Sequence, residues 1–327
     1  MTSSISKLSD SLSEKVKKTN KVIEENLSSE ETPIIGDIAA HLINSGGKRI
    51  RPLLTLSASK LFDYKGNKDT FLAAAIEYIH SATLLHDDVI DRSEIRRGLK
   101  TANIVWTNKY SVLVGDFLFS RAFQLMVKTQ SLKIMKTLSD ASATISQGEI
   151  LQVGIERKLD VSQDDYLKVI KGKTSALFSA ACQAGAELTE ASETHIKALQ
   201  EYGECIGTSF QIIDDLLDYL GDESQMGKNR GNDFFERKIT LPIIHAYEQS
   251  SEAEKKFITG IFKKPKPNHR DLNVLLEVLE NKQSLLFTKN QASIWSERSI
   301  NALQIIESSE IKTLMTELAE EILTRVS

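Results

Sequence analysis

The stretch LLHDDVID, residues 84–91, places three aspartates directly after an apolar run. No basic residue lies among Asp87, Asp88 and Asp91, so at neutral pH their carboxylates repel one another and resist burial. A second stretch of the same kind, QIIDDLLD at 211–218, also follows apolar residues. Any interpretation of the chain must therefore explain two acidic clusters that each adjoin a packed interior.

The composition excludes several classes of protein. The 327 residues include 41 Lys and Arg against 45 Asp and Glu, a net charge of −4, which argues against a nucleic-acid coat or a polybasic membrane anchor. The polar N-terminus lacks the apolar core, about 7–15 residues long, of a secretory signal, and no stretch approaches the ~20 apolar residues of a membrane span. Cys182 and Cys205 form no C-x-x-C pair, which fits a reducing compartment. We therefore predict a cytoplasmic protein without a membrane span.

The spacing of apolar residues predicts helices over 101–127, 133–155 and 196–220. No Asn-Gly hairpin signal joins alternating runs and no strand–helix alternation is present, so we predict an all-α fold. The clearest loop is KKPKPNHRD at 263–271, and similar helices continue beyond it. In 101–127 the apolar residues at helical spacing are Val105, Val112, Leu113, Phe117, Phe119 and Phe123.

We predict a single domain over 1–327, of which residues 1–27 form an N-terminal helical segment. The chain contains no regular internal repeat, and the two acidic stretches lie in otherwise dissimilar surroundings.

The acidic stretches suggest a metal site. Residues i and i+4 share a helix face, so Asp87 and Asp91 point the same way, as do Asp214 and Asp218. Oxygen ligands of this kind suit Mg²⁺, which is usually held by one or two carboxylates together with substrate phosphates. The competing interpretation is a solvated acidic helix end, and two such motifs after apolar runs favour the metal.

Basic clusters accompany the acidic stretches in GGKRIRP, RSEIRRG, KGKTS and GKNRGNDFFERK. Arg suits bidentate phosphate contacts and Lys acts as a point charge. Carboxylates for a metal and cations for an oxyanion together indicate a diphosphate site. A nucleotide loop does not fit, because the first glycine of G-x-x-x-x-G-K-[ST] would fall at Leu167. The basic residues are Lys48, Arg49, Arg51, Arg96, Arg97, Lys173, Lys228 and Lys238.

Taken together, these residues resemble the trans-polyprenyl diphosphate synthase family. The resemblance includes GGKRIRP, HSATLLHDDVIDRSEIRRG, GKTSALF, FQIIDDLLDY and GNDFFERKITLP in that order, and is strongest to the long-chain, octaprenyl-type synthases that make quinone side chains. It implies an isoprenoid-synthase-type helical bundle around a deep central cavity, with the Asp-rich motifs facing each other at its mouth. It also implies a homodimer.

The resemblance further implies a reaction. An allylic diphosphate such as farnesyl diphosphate ionises, isopentenyl diphosphate attacks the carbocation, and Mg²⁺ neutralises charge on the leaving group. The catalytic residues would be Asp87, Asp91, Asp214 and Lys173, and the three aspartates would bind the metal. The allylic diphosphate would contact Arg96, Lys173, Thr174, Gln211 and Lys238. Isopentenyl diphosphate would contact Lys48, Arg51, His80 and Arg97.

Two features depart from the family pattern. Arg237 stands where a small glycine usually precedes the lysine of the last motif, and Asn232 stands where a second aspartate is common. Phe234 and Phe235 follow the acid. The departures leave both Asp-rich motifs intact but leave the role of Lys238 open.

Other functions remain as alternatives. A di-iron protein would use the E-x-x-H pattern of Glu77 and His80, but it needs a second such pattern, which the sequence lacks. A terpene cyclase would share the first acidic motif, whereas its second usually carries Asn, Ser or Thr and Glu. A shorter-chain synthase, or a non-catalytic partner subunit of a synthase, would share the fold.

Product length is expected to depend on residues one turn before the first motif. Ala82 and Thr83 are small, whereas in the resembled family large aromatic residues at these positions stop chain growth early. The product is therefore expected to be a lipid-like chain of about eight to ten isoprene units, since an unfilled tunnel admits more of the chain. Candidates for a deeper stop are Phe123, Met126 and Met135.

Overall fold

The computed structural model describes residues 3–156, 158–220 and 230–324, and these are predominantly helical, which confirms the all-α prediction. The first helices are α1 (Ser4–Ser11), α2 (Ser13–Asn26), α3 (Ile34–Asn44), α4 (Ile50–Lys60), α5 (Lys68–Ile90), α6 (Ala102–Val105), α7 (Asn108–Lys128) and α8 (Leu132–Ile155). The later helices are α9 (Gln163–Ile170), a π-helical turn (Lys171–Ser175), α10 (Ala176–Glu187), α11 (Glu193–Leu220), α12 (Asn232–Glu236), α13 (Leu241–Glu248), α14 (Glu252–Lys263), α15 (His269–Asn281), α16 (Ser284–Ala302), a 3₁₀ turn (Leu303–Ile305) and α17 (Glu310–Thr324).

The chain divides into two compact units, each assembled from segments that are distant in sequence. Unit 1 comprises Met1–Ser142, Leu177–Gly203 and Asn301–Leu318. Unit 2 comprises Ala143–Ala176, Glu204–Ile300 and Ala319–Ser327. The single domain over 1–327 stays a prediction. Within the described ranges, no helix is long and apolar enough to cross a membrane.

Helix α5 is the centre of unit 1, where it packs against α2, α4 and α7. The buried hydroxyl of Tyr78 donates to the Ile23 carbonyl at 2.5 Å and joins α5 to α2. Ser111 of α7 donates to the Leu85 carbonyl at 2.8 Å and joins α5 to α7. Gly115 permits this approach, because a Cβ there would lie 2.2 Å from Nε2 of His86. The end of α5 that carries the first acidic motif is therefore fixed by its neighbours.

The predicted helix over 101–127 is interrupted between α6 and α7. The Thr107 side chain accepts a hydrogen bond from the Tyr110 amide at 3.3 Å and caps a new helix, which ends the preceding one. The buried face of α7 includes Val114 and Leu118. Several apolar residues that set the predicted periodicity are instead exposed, namely Val105, Val112, Leu113 and Phe123.

A short hairpin, which the sequence interpretation did not include, follows the first acidic motif. Strands β1 (Ile95–Arg96) and β2 (Leu99–Lys100) pair antiparallel. Arg97 and Gly98 connect them with positive φ values of 52° and 78°, as a tight two-residue turn requires.

Unit 2 includes the second half of α11. Helix α13 packs against α9, α14 and α15, and Ser209 of α11 donates to the Ala292 carbonyl of α16 at 2.9 Å. The predicted loop over 263–271 corresponds to the connection between α14 and α15. The connection ends at Asn268, which caps α15. The Asn268 side chain accepts from the Asp271 amide at 3.2 Å, and the Asp271 side chain accepts from the Asn268 amide.

Candidate active site

The first acidic motif lies at the C-terminal end of α5. The amide of Asp91 still donates to the Asp87 carbonyl at 2.8 Å, so the two residues keep the i, i+4 relationship that the sequence predicted. Both side chains are half-buried. A helix C-terminus carries partial negative charge and disfavours carboxylates, so this arrangement favours a bound cation.

Asp88, between them, has a different environment. Its side chain is 1% exposed and forms a two-pronged ion pair with Arg96 of the hairpin, with Nη2 to Oδ1 at 2.8 Å. The Ser93 amide also donates to the Asp88 carbonyl at 2.9 Å, which holds the chain leading into the hairpin against the end of α5. Arg96, predicted to bind the allylic diphosphate, is thus fixed by the acidic motif that it follows.

The residues predicted to bind isopentenyl diphosphate all belong to unit 1. Arg97 rests on the GGKRIRP loop, where a Cβ on Gly47 would lie 2.8 Å from its Nη1. Gly47 also has φ of 143°, so both its backbone conformation and its close contact with Arg97 require glycine. Arg51 stacks on the ring of Phe178 at 4.3 Å, and Lys48 is exposed.

Two titratable side chains of α5 lie in the field of these cations. Burial, together with the charges of Arg51 and Arg97, lowers the pKa of His80 well below its ordinary range. The imidazole is therefore neutral at neutral pH. Burial raises the pKa of Glu77, whereas Arg49 and Arg51 act in the opposite direction. Sequence reasoning assigned no role to Glu77 beyond the rejected di-iron pattern.

In unit 2, the KGKTS segment forms the π-helical turn, a rare geometry that often marks functional sites. Gly172 of this turn and Gly148 of α8 allow the backbones of the turn and the helix to touch. A Cβ on Gly148 would lie 2.5 Å from the Lys173 amide nitrogen. Beside this contact, Lys173 Nζ donates to Oε2 of Glu149 at 2.9 Å. The sequence interpretation missed Glu149, whose place opposite a lysine depends on this crossing.

A chain of hydrogen bonds joins the π-helical turn to the second acidic motif. Thr174 Oγ1 donates to Oε1 of Gln211 at 2.7 Å, and Nε2 of Gln211 donates to Oδ1 of Asp215 at 2.7 Å. The hydroxyl of Tyr166 donates to the other oxygen of Asp215 at 2.6 Å. Burial and the negative charges of Asp233 and Asp214 raise the pKa of Asp215 to about 8, against the effect of its two donors.

The other two aspartates of the second motif differ from each other. Asp214 is exposed. Asp218 is buried and accepts hydrogen bonds from the amides of Asn232 at 3.2 Å and Asp233 at 3.0 Å, so it caps α12. Asp214 and Asp218, predicted to share a helix face, therefore differ: the first carboxylate is accessible and the second binds the start of α12.

Lys238 follows α12, and its Nζ lies 2.8 Å from Oε2 of Glu236. The preceding Arg237 has φ of 65°, a left-handed conformation that glycine adopts without strain. Its guanidinium donates to the carbonyls of Phe262 and Lys264 at the end of α14. Lys228, another basic residue of this segment, lies outside the described residues.

The donor groups fit Mg²⁺ bound jointly by protein and substrate. Within the described ranges, no group of three or more His, Cys, Asp or Glu side chains is arranged to hold a metal ion alone. Mg²⁺ seldom needs such a cage, because it retains waters and shares substrate phosphates. Glu149 Oε1 and Gln152 Oε1 are buried acceptors without a hydrogen-bond partner among the described residues. Such oxygens suit a hydrated cation or another donor.

Comparison with known proteins agrees with these features. The polyprenyl synthetase family model matches residues 32–279. Octaprenyl diphosphate synthase of Escherichia coli (strain K12) is 40% identical over 300 residues, which cover 92% of each chain.

Two solved structures are also similar. A decaprenyl diphosphate synthase from Rhodobacter capsulatus is 43% identical with a TM-score of 0.95 and 99% coverage of both chains. A polyprenyl synthase from Caulobacter crescentus CB15, complexed with calcium and isoprenyl diphosphate, is 38% identical with a TM-score of 0.94, and the match covers 100% of this chain and 99% of that one. The resemblance stated from the motifs is confirmed, as is the prediction that the protein is a prenyltransferase. The chain belongs to the polyprenyl synthetase family.

Proposed function

We propose that this protein condenses isopentenyl diphosphate onto an allylic diphosphate to make a long-chain, octaprenyl-like polyprenyl diphosphate for a quinone side chain. The observation that carries the proposal is the end of α5, where Asp87 and Asp91 share one face at a helix terminus that disfavours their charge. The same helix presents His80 among arginines, so one unit holds groups for a metal and for a phosphate. The octaprenyl and decaprenyl relatives support the long-chain product.

The proposed reaction breaks one bond and makes another. The C–O bond of the allylic diphosphate breaks and the diphosphate leaves with the electron pair. The terminal double-bond carbon of isopentenyl diphosphate bonds to the resulting allylic cation, and a proton is lost to form the new double bond. The departing diphosphate accepts that proton, so no dedicated protein base is needed.

Asp87, Asp91 and Asp214 would hold Mg²⁺ in this proposal. The metal supplies charge neutralisation to the leaving diphosphate. The protein contributes position: Asp88 already orients Arg96, and Gln211 already orients Thr174, before substrate binds. Groups fixed in advance lose less entropy when they bind the allylic diphosphate. Lys173 and Lys238 complete the proposed contacts, each exchanging a glutamate partner for phosphate oxygens.

Isopentenyl diphosphate would bind to Lys48, Arg51, Arg97 and His80 in unit 1. A neutral His80 can donate one hydrogen bond without adding a further buried charge beside the arginines. Glu77 lies in the field of the same arginines, whose charges favour its ionised form against the effect of burial. This division gives each diphosphate its own set of cations.

We also propose that the protein is a homodimer. Val112, Phe119, Phe123 and Val127 recur at helical spacing on α7, and all but the half-buried Phe119 are exposed. The rings of Phe119 and Phe123 pack edge to face at 5.5 Å. An apolar stripe of this kind suits burial against a second copy. A cytoplasmic location is proposed because Cys182 and Cys205 are buried thiols that are not joined in a disulfide.

The test is an incubation of the pure protein with Mg²⁺, farnesyl diphosphate and labelled isopentenyl diphosphate. The expected result is incorporation of label into chains of about eight to ten units, sized by chromatography after dephosphorylation, because a side chain as small as that of Ala82 is expected to leave room for the growing chain. Chains of three or four units would support the shorter-chain alternative. No incorporation would support a non-catalytic partner subunit and overturn the proposal.

A further inference from the structure

Tyr166 is a buried side chain that the proposed reaction does not use. It lies on α9, before the π-helical turn, and its hydroxyl donates to Oδ2 of Asp215 at 2.6 Å. Both residues are buried. A buried carboxylate needs donors for its oxygens, and the tyrosine hydroxyl supplies one of them.

The other oxygen of Asp215 links this pair to predicted substrate contacts. Oδ1 accepts from Nε2 of Gln211 at 2.7 Å, and Oε1 of Gln211 then accepts from Thr174 at 2.7 Å. Because Oδ1 of Asp215 accepts the hydrogen bond from Nε2, it selects the amide orientation that places the Gln211 oxygen toward Thr174. Thr174 thus gives its hydroxyl hydrogen to Gln211, and the second N–H of the Gln211 amide can donate to an oxygen of the allylic diphosphate.

A second observation concerns the π-helical turn itself. Side-chain hydrogen bonds join residues 166–175 to Asp215, Gln211 and Thr208 of α11, the last from Ser175 at 2.8 Å. Lys171 adds an ion pair with Glu204 of the same helix at 2.6 Å. A π-helical turn has an irregular backbone hydrogen-bond ladder, so side-chain bonds on both sides of it help to define its register. Tyr166 supplies the bond on the N-terminal side, ahead of Lys173.

We propose that Tyr166 is a positioning residue for the allylic diphosphate, acting through Asp215 to orient Gln211 and Thr174. The inference rests on the proposed function of these two side chains. The competing explanation is that Tyr166 merely stabilises the core. The two explanations differ in substrate dependence: a positioning role affects the allylic substrate, whereas general destabilisation does not distinguish between substrates.

The test compares Tyr166→Phe with Tyr202→Phe. Both changes remove one buried hydroxyl, and Tyr202 donates to the Met315 carbonyl at 2.8 Å within unit 1, whereas the second acidic motif belongs to unit 2. Loss of this hydrogen bond leaves a buried acceptor of Asp215 unsatisfied, and it is expected to raise KM for farnesyl diphosphate by about tenfold or more in Tyr166→Phe. KM for isopentenyl diphosphate should stay within about twofold, since that contact set is unaltered. Tyr202→Phe should keep wild-type kinetics.

A double-mutant cycle with Gln211→Ala provides the mechanistic part of the test. If Tyr166 acts through Gln211, its replacement should have little further effect once Gln211 is gone. Wild-type kinetics in Tyr166→Phe, equal changes for both substrates, or additive effects in the cycle would overturn the inference. If Tyr166→Phe does not fold, Asp215→Asn, which preserves volume, should show the same allylic selectivity, and unchanged constants there would overturn it. An inactive wild-type protein would instead contradict the proposed function.

Discussion

Arg96 donates three hydrogen bonds to the carboxylate of Asp88, from Nε to Oδ1 at 3.0 Å and Oδ2 at 3.2 Å and from Nη2 to Oδ1 at 2.8 Å. The central aspartate of the first motif is therefore occupied by an arginine supplied by the following hairpin. Its neighbours Asp87 and Asp91 lie on another face of the same helix end. One short motif thus combines a structural carboxylate with two that are proposed to bind metal.

This division predicts different effects for replacing Asp87 and for replacing Arg96, the partner of Asp88. Asp87→Ala should lower turnover by about 10²-fold or more, because a proposed metal ligand that helps to neutralise the leaving diphosphate is lost. Its unfolding free energy should change little. Arg96→Ala leaves Asp88 buried without its partner and should cost about 3–5 kcal/mol of unfolding free energy. Turnover and urea unfolding of both variants measure the two effects. Excess chelator should abolish wild-type activity, and activity that survived it would contradict the metal proposal.

The α7 and α8 regions show what the sequence does and does not determine. Continuous periodicity over 133–155 predicted a helix that the structure has as α8. The pattern over 101–127 did not reveal that Thr107 starts a new helix, because a local side-chain hydrogen bond overrides periodicity. It also did not separate the core-facing side chains of α7 from the exposed ones, since both are apolar.

Within the candidate site, residue identity was easier to predict than pairing. The motifs identified Asp88 and Arg96, but their bond depends on a hairpin with no Asn-Gly signal. Glu149 and Tyr166 belong to no quoted motif, and they reach Lys173 and Asp215 only through tertiary packing. Such long-range contacts leave no periodic trace in one sequence.

The assignment of Arg51 and His80 to isopentenyl diphosphate is testable by steady-state kinetics. Arg51→Ala or His80→Ala should raise KM for isopentenyl diphosphate by about tenfold, because each loses a contact made in the ground state, and should affect the allylic KM less. Thr174→Val is the matched comparison, with the larger effect expected on the allylic substrate. Equal effects on both substrates in all three variants would refute the division of sites.

His80 also predicts a pH dependence of stability. Its pKa is lowered below the ordinary value of 6.5, mainly by burial and then by Arg51 and Arg97. Between the lowered pKa and 6.5 the unfolded chain binds more protons, so stability falls as pH falls through this window and is recovered above it. His80→Gln should lose less stability than wild type in acid. The measurement is urea unfolding over this pH range, with His195→Gln as the control, and parallel pH profiles would argue against the effect.

Arg237 allows backbone strain and side-chain bonding to be separated. Arg237→Ala and Arg237→Gly both remove the guanidinium from the end of α14, but only glycine accepts φ of 65° without strain. Both variants should be less stable than wild type, and the glycine variant should be more stable than the alanine one by about 1 kcal/mol. Denaturant unfolding measures the order. An alanine variant as stable as the glycine variant would show that the left-handed backbone imposes no strain.

Product length gives the most direct test of how α5 shapes the reaction. Ala82 is fully buried on α5, five residues before Asp87 and therefore about one turn from it along the helix. Met126 is also buried in unit 1, whereas Phe123 is 42% exposed and belongs to the proposed dimer stripe, so Met126 is the better candidate for a deeper stop.

If the growing chain runs along α5, Ala82→Tyr should shorten the product, because a ring at this position occupies volume that the chain needs. Ala82→Leu should give intermediate lengths, while single-turnover ionisation of the allylic substrate stays close to wild type in both variants. Chromatographic sizing of the dephosphorylated products measures the series, and circular dichroism confirms that each variant is folded. A graded response would assign the tunnel to this face of α5, since general destabilisation lowers yield without selecting a length. Unchanged lengths in folded, active Ala82→Tyr would place the growing chain elsewhere.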